Sequence, residues 1–444
     1  MKKWIGAMFL MTLMQTAFAQ DFKKVETGLL LNNFEVAKTE YEKAVAKKPS
    51  IETTAEGYYW KSKIYAGLSK DPAAKYPDAF DKLLKSLNDY IKADPEFTIA
   101  IKSGQEPFFE VYIKSFKDGV ATFGEKKWKE AAANFDRGVV LSDIIFSKGW
   151  STNKQPFDTT TLMYAGYANQ NAGNDDLTIK YYTRMINANM KSADLLDMYK
   201  YVLIKAADKK DKAMFDQYYT ISEQSYPEEK WFEFRADYID KNYTAEEKVA
   251  NYDAQVAANN INETECQMYG DMFMASRNVD GLSDDKANYY LDKAADAYMR
   301  AYKLNTQNYA AAFNVGISYY NQYTVLDDQV GNNIRALQQL NANKPVAPKD
   351  PKKKLAFDAK FKAQQDSIKK LNLALDAPMK AKVDQAIEWI ENAFNIIKDK
   401  ATLNRNEKNV AARSVDFLAT LYAAKRDKNR ANQKVYDELD AKFT

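Results

Sequence analysis

Apolar positions along this chain recur at three- and four-residue steps, the period of one face of a helix. One spacing returns several times: a small residue, a bulky one four positions on, a small one three further, then a helix stop. Ala37, Tyr41, Ala44 and Pro49 show it in full. Ala131, Phe135, Gly138 and Asp143 repeat it, as do Ala294, Tyr298, Ala301 and Thr306. Ala386, Ile390, Ala393 and Lys398 give a fourth instance. Upstream lies a glycine at fixed distance: Gly119 precedes Ala131 by the same separation that sets Gly166 before Thr178. The pattern predicts helices near 34–47, 78–93, 127–141, 175–189, 211–225, 244–258, 286–304 and 383–398, each the second of a pair. Pro49, Pro95 and Pro227 are expected to stop three of them, since proline cannot continue a helix. The segment 231–258 lacks clear signature residues.

The period breaks after Tyr320. Tyr323, Leu326, Val330, Ile334, Leu337 and Leu340 keep helical steps, and the run from Lys344 to Pro351 interrupts them. Phe357, Phe361, Ile368, Leu371 and Leu375 resume the steps. Each arm carries one narrow apolar stripe, as two-helix seams do. These arms predict a long helical hairpin near 321–382, with Pro378 kinking the returning arm.

Together these spacings resemble the tetratricopeptide-repeat (TPR) family, whose pattern is W-x2-L-G-x2-Y, then A-x3-F, then P. The junction Tyr302–Tyr309 followed by Phe313-Asn314-Val315-Gly316-Ile317 is similar to exported bacterial members. The resemblance implies an all-α solenoid of antiparallel helix pairs, with Gly119 and Gly166 on first helices facing Ala131 and Thr178 on second ones. Beyond residues 1–19 it implies one solenoid over 20–229, and a second over 230–444 that includes the 321–382 hairpin. It further implies that first-helix residues line a concave, partner-binding groove. Those positions are Met163, Tyr167, Gln170 and Asn171 around Gly166. Around Gly270 they are Gln267, Asp271 and Met274. Around Gly316 they are Phe313, Ile317, Tyr320 and Asn321. Aromatic, Met and amide side chains suit protein recognition.

The N-terminus adds a destination. Lys2 and Lys3 precede an apolar run from Trp4 to Leu13, and Ala17-Phe18-Ala19 fits small-x-small cleavage. The expectation is export to the periplasm with cleavage after Ala19. Gln20, not Cys, follows the cut, so no lipoprotein is expected. The apolar run falls short of the ~20 residues that span a bilayer, and no later run is long enough. A length of 444 residues exceeds one compact core. Sparse breakers, 15 Gly and 11 Pro, agree with many helices.

Charge and chemistry narrow the function. With Lys2 and Lys3 removed, the 64 basic and 61 acidic side chains come close to balance. That leaves no global attraction to nucleic acid. There is no histidine and one cysteine, Cys266. Ser-His-Asp and Cys-His catalysis, histidine-ligated zinc and disulfide staples are thereby excluded. Ser367 and Lys370 match S-x-x-K without its companion motifs. Asn278, Asp280, Gly281, Ser283, Asp284 and Asp285 form an acidic loop, but Ala287 stands where a calcium loop needs its bidentate Glu. Ser283 or Asp284 there reads better as a helix N-cap. The lysines from Lys349 to Lys354 read as a solvated tip or a phosphate or lipid contact. The expectation is a non-enzymatic scaffold or adaptor of the cell envelope that needs no cofactor or metal and binds a protein or peptide. A module for glycans or cell-wall fragments is the alternative.

Overall fold

The computed structural model describes residues 22–71, 75–277 and 281–425. The leader 1–19, the loop residues Asn278 and Asp280, and the chain's end lie outside them. The described residues are helical and strand-free, and the chain divides into two compact units, Met1–Glu228 and Glu229–Thr444.

In the first unit, helices that are neighbours in sequence are neighbours in space. They are α1 (Lys23–Leu30), α2 (Phe34–Lys47), α3 (Ala55–Leu68), α4 (Ala79–Ala93), a short α5 (Thr98–Ser103), α6 (Glu106–Gly124), α7 (Trp128–Ser147), α8 (Thr159–Ala172), α9 (Asp175–Asn187), α10 (Leu196–Asp208) and α11 (Lys212–Ser225). The second unit holds α12 (Trp231–Asn242), α13 (Ala245–Ala257), α14 (Glu263–Ser276), α15 (Asp284–Leu304), α16 (Tyr309–Ala342), α17 (Pro351–Ile397) and α18 (Arg405–Ala424). The protein is thus all-α, built of sequence-adjacent helix pairs in a TPR-like order. The expected second helices appear as α2, α4, α7, α9, α11, α13, α15 and the end of α17.

Local chemistry sets the boundaries. Asp158 and Asn308 cap α8 and α16 by accepting the Thr161 and Ala311 amides. Thr244 with Glu247, and Asn262 with Glu265, close capping boxes that satisfy orphan amides of α13 and α14. Ser283 caps α15, so that loop is a helix start, as the missing calcium ligands suggested. Proline ends what it was expected to end: α2, α4 and α11 stop just before Pro49, Pro95 and Pro227.

Small and bulky positions alternate through each core. Ala37, Ala131, Ala294 and Ala386 are fully buried, and so are Phe135, Tyr298 and Ile390. The glycines work differently from the expectation. A Cβ on Gly166 would meet the Tyr182 ring at 2.3 Å, and one on Gly119 the Phe135 ring at 2.7 Å. A Cβ on Gly270 would meet Tyr298 at 2.5 Å. In these pairs the first-helix glycine receives the aromatic of the second helix, rather than Thr178 or Ala131. At Gly28, against Ala37, two small residues do meet, and Gly316 lies against both Ile390 and the Ala386 carbonyl. Ala294→Leu inserts branched bulk into a site with no free volume. It is expected to lose about 1–3 kcal/mol, read as a lower midpoint in urea denaturation; an unchanged midpoint contradicts this packing.

The hairpin is present. Helices α16 and α17 pack along one another well beyond the helix-pair core, and the breaker run 344–350 joins them. Asn333 and Asn372 bridge the arms at 2.7 Å, and Gln365 reaches Asn341 at 2.6 Å. Pro378 sits inside α17, which continues through it as one helix. Ser367 and Lys370 are both exposed on this arm.

Candidate groove in the second unit

Three first helices of the second unit, α12, α14 and α16, line a groove of about 710 Å³. Each contributes residues one helical turn apart, which puts them on one face. Helix α12 supplies Phe232, Ala236, Asp237 and Asp240. Helix α14 supplies Thr264, Gln267, Met268, Asp271, Met272 and Ala275. Helix α16 adds Ala310 and Asn314. Behind them, buried Trp231, Tyr238, Ile239, Tyr269 and Phe273 fix the helices from the core side.

The lining has an apolar floor of Phe232, Ala236, Met268, Met272 and Ala310, carries three aspartates, and includes no Lys or Arg. Asp240 is paired with Lys248 at 2.6 Å. Asp237 is exposed and has no ion pair or side-chain hydrogen bond among the described residues. Asp271 accepts a 2.5 Å hydrogen bond from the Tyr298 hydroxyl. The packed walls around Asp271 strip it of water and push its carboxyl above the usual aspartate range, and the Tyr298 bond opposes this only in part. Gln267 donates to Asn308 at 3.4 Å, which ties the groove to the cap of α16. Among the described residues, no three such side chains converge as metal ligands would.

Of the residues predicted to bind a partner, Gln267 and Asp271 line this groove. Phe313 does not. It is 2% exposed, beneath the Arg413 guanidinium and edge-on to Phe417. Phe313 is core, because the next first helix, α18, packs over that face of α16. Tyr320 is half-buried with its ring 4.9 Å from Phe417, and Asn321 donates to Met274 Sδ. Both are partly committed to internal contacts. In the first unit, Tyr167 is half-buried and donates to the Asp194 carbonyl at 2.8 Å. Gln170 accepts from the Tyr182 hydroxyl, Asn171 is exposed with its amide on the Tyr167 carbonyl, and Met163 is half-buried. Sequence reasoning missed the α12 wall. Its signal was the Phe232, Ala236, Asp240 stripe, on a segment without the signature glycine.

Cys266 is buried, and the lack of water around it pushes its thiol up to about 11. A thiol so shielded stays protonated and is no nucleophile.

No protein-family model and no curated protein matches this chain. Among solved structures it is similar to a chain of the crystal structure of the APC/C hetero-tetramer Cut9-Hcn1, at 10% identity. That match covers 98% of this chain and 95% of the other, with a TM-score of 0.19. At that score the likeness says nothing of partners, and the fold stands on the helix pairs themselves. No helix of the described residues is long and apolar enough to cross a membrane.

Proposed function

We propose that this protein is a non-catalytic scaffold of the cell envelope, exported by its N-terminal segment, that holds a partner segment in the α12–α14–α16 groove. The observation that carries the reading is the composition of that groove: a long apolar floor edged by Asp237, Asp240 and Asp271, with no cation in the lining. Such a surface fits an amphipathic helix or strand that offers aliphatic anchors and Lys or Arg at its margin. Export rests on Lys2, Lys3, the Trp4–Leu13 run and the Ala17–Ala19 motif.

The test is fluorescence anisotropy with two labelled amphipathic peptides of equal apolar content, one with a lysine face and one with a glutamate face. The lysine peptide should bind, and binding should weaken as salt rises. Asp237→Lys should abolish it while leaving the melting curve in place. Equal binding of both peptides, or an unaffected Asp237→Lys variant, overturns the proposal. A pH series adds a signed prediction. Because Asp271 holds its proton to higher pH than an ordinary aspartate, affinity should begin to fall on acidification before free aspartates titrate. Asp271→Asn should remove that early part of the fall.

A further inference from the structure

We propose that the projecting hairpin is a second, separate binding element that docks on an anionic lipid surface. Between Val330 and Leu375 there are ten Lys and Arg against three Asp, in a chain whose overall charge is only +3. The excess is available to an outside anion. Lys349, Lys352, Lys353, Lys354, Lys362 and Lys369 are all exposed, with no ion pair among the described residues. Four lysines of the helix-pair core of this unit behave otherwise: Lys248, Lys286, Lys293 and Lys382 each reach a carboxylate on another helix. Two of the arm's aspartates are occupied. Asp350 caps α17 at the Lys353 amide, and Asp358 pairs with Lys344.

Large aliphatic side chains stand among these cations. Val346 at the tip is 96% exposed, Leu355 is 74% exposed and Leu373 is 70% exposed. Leu355, Lys362, Lys369 and Leu373 fall on one face of α17 at near-heptad steps, roughly a quarter-turn from buried Phe361. The two leucines are about 27 Å apart along that face, at 1.5 Å per residue. An outward stripe of leucine and lysine, ending in an apolar tip, matches a surface that is negative at its face and apolar just beneath. Lysine heads would reach phosphates while the aliphatic groups enter the headgroup boundary. A nucleic-acid strand would instead want exposed aromatic stacking platforms, whereas Phe357 and Phe361 stack on each other under Lys344. This surface does not include the groove of the proposed function.

The full chain would be floated with vesicles of phosphatidylglycerol mixed with phosphatidylcholine, and with phosphatidylcholine alone. Binding is expected to the anionic vesicles only, and to weaken with salt. Replacing Lys352, Lys353 and Lys354 together by Gln should weaken it on the order of a hundredfold, at about fivefold per lysine near a charged membrane. Leu355→Ser should weaken the binding that survives at high salt. All these positions are exposed, so both variants should melt with the parent, and Asp237→Lys should bind vesicles as the parent does. The proposal is overturned if anionic vesicles are not bound at low salt. It is equally overturned if the triple variant binds like the parent, or if single-stranded nucleic acid is captured and vesicles are not.

Discussion

Replacing Gly166 by leucine is expected to unfold the first unit at a markedly lower denaturant concentration, with a loss of about 3 kcal/mol or more. The reason is local and geometric. A Cβ at this position would stand 2.3 Å from Tyr182 Cε1, far inside contact distance. The ring cannot swing away. Tyr182 is fully buried, its hydroxyl is held by Gln170, and its edges meet Tyr167 and Tyr201. Even Gly166→Ala should destabilise, although alanine gains about 1 kcal/mol of helix propensity over glycine. Gly124, with nothing within 4 Å of its would-be Cβ, supplies the control. Gly124→Ala should be neutral or slightly stabilising. Circular-dichroism denaturation of the three variants decides it. If Gly166→Leu and Gly124→Ala melt alike, the close approach of α8 and α9 is wrong.

The same position shows where sequence reading ran out. Spacing alone placed Gly166 opposite the second helix, and the helix is there. Spacing could not tell which side chain of that helix fills the missing Cβ, because Thr178 and Tyr182 lie one turn apart on the same face. Helix boundaries were legible because they depend on neighbours in sequence: Pro49, Pro95 and Pro227 as stops, Ser283 as a cap. The hairpin was legible for the same reason, through its two stripes and the breaker run from Lys344 to Pro351.

The groove was only half legible. Gln267 and Asp271 follow from their distance to Gly270, a local quantity. Phe313 has the same relation to Gly316, yet it is buried, because Arg413 and Phe417 of α18 cover it from about a hundred residues away along the chain. Nothing near Phe313 in sequence announces that cover. Asp237 failed in the opposite direction: its helix lacks the signature glycine, so no register placed it, although among the described residues it lacks the ion pair of Asp240 and the hydrogen bond of Asp271.

Tyr298 joins the fold to the groove, and its replacement should have the largest effect in the second unit. The side chain is 1% exposed, its ring lies on Gly270, and its hydroxyl holds Asp271. Tyr298→Ala removes the ring and leaves a cavity where α14 and α15 meet, an expected loss of about 3–5 kcal/mol. Against a total domain stability of about 5–15 kcal/mol, that is enough to populate unfolded protein and blunt any binding measurement. Tyr298→Phe separates the two roles. It keeps the ring and should lose only about 1 kcal/mol. It also frees Asp271 from the one bond that favours its charged form, so the carboxyl should titrate at still higher pH. The sign for stability follows. A folded carboxyl whose affinity for protons exceeds that of the unfolded chain makes stability fall as pH rises from the unfolded value, near 3.8, through the raised folded value. Above that window the term is constant. Tyr298→Phe should therefore widen the window upward, and Asp271→Asn should erase its slope. In parallel, the lysine-faced peptide should release from Tyr298→Phe at higher pH than from the parent. Coincident pH profiles for parent and Tyr298→Phe would mean that the hydroxyl does not govern the charge on Asp271, and that the groove's acidity is set by Asp237 and Asp240 alone.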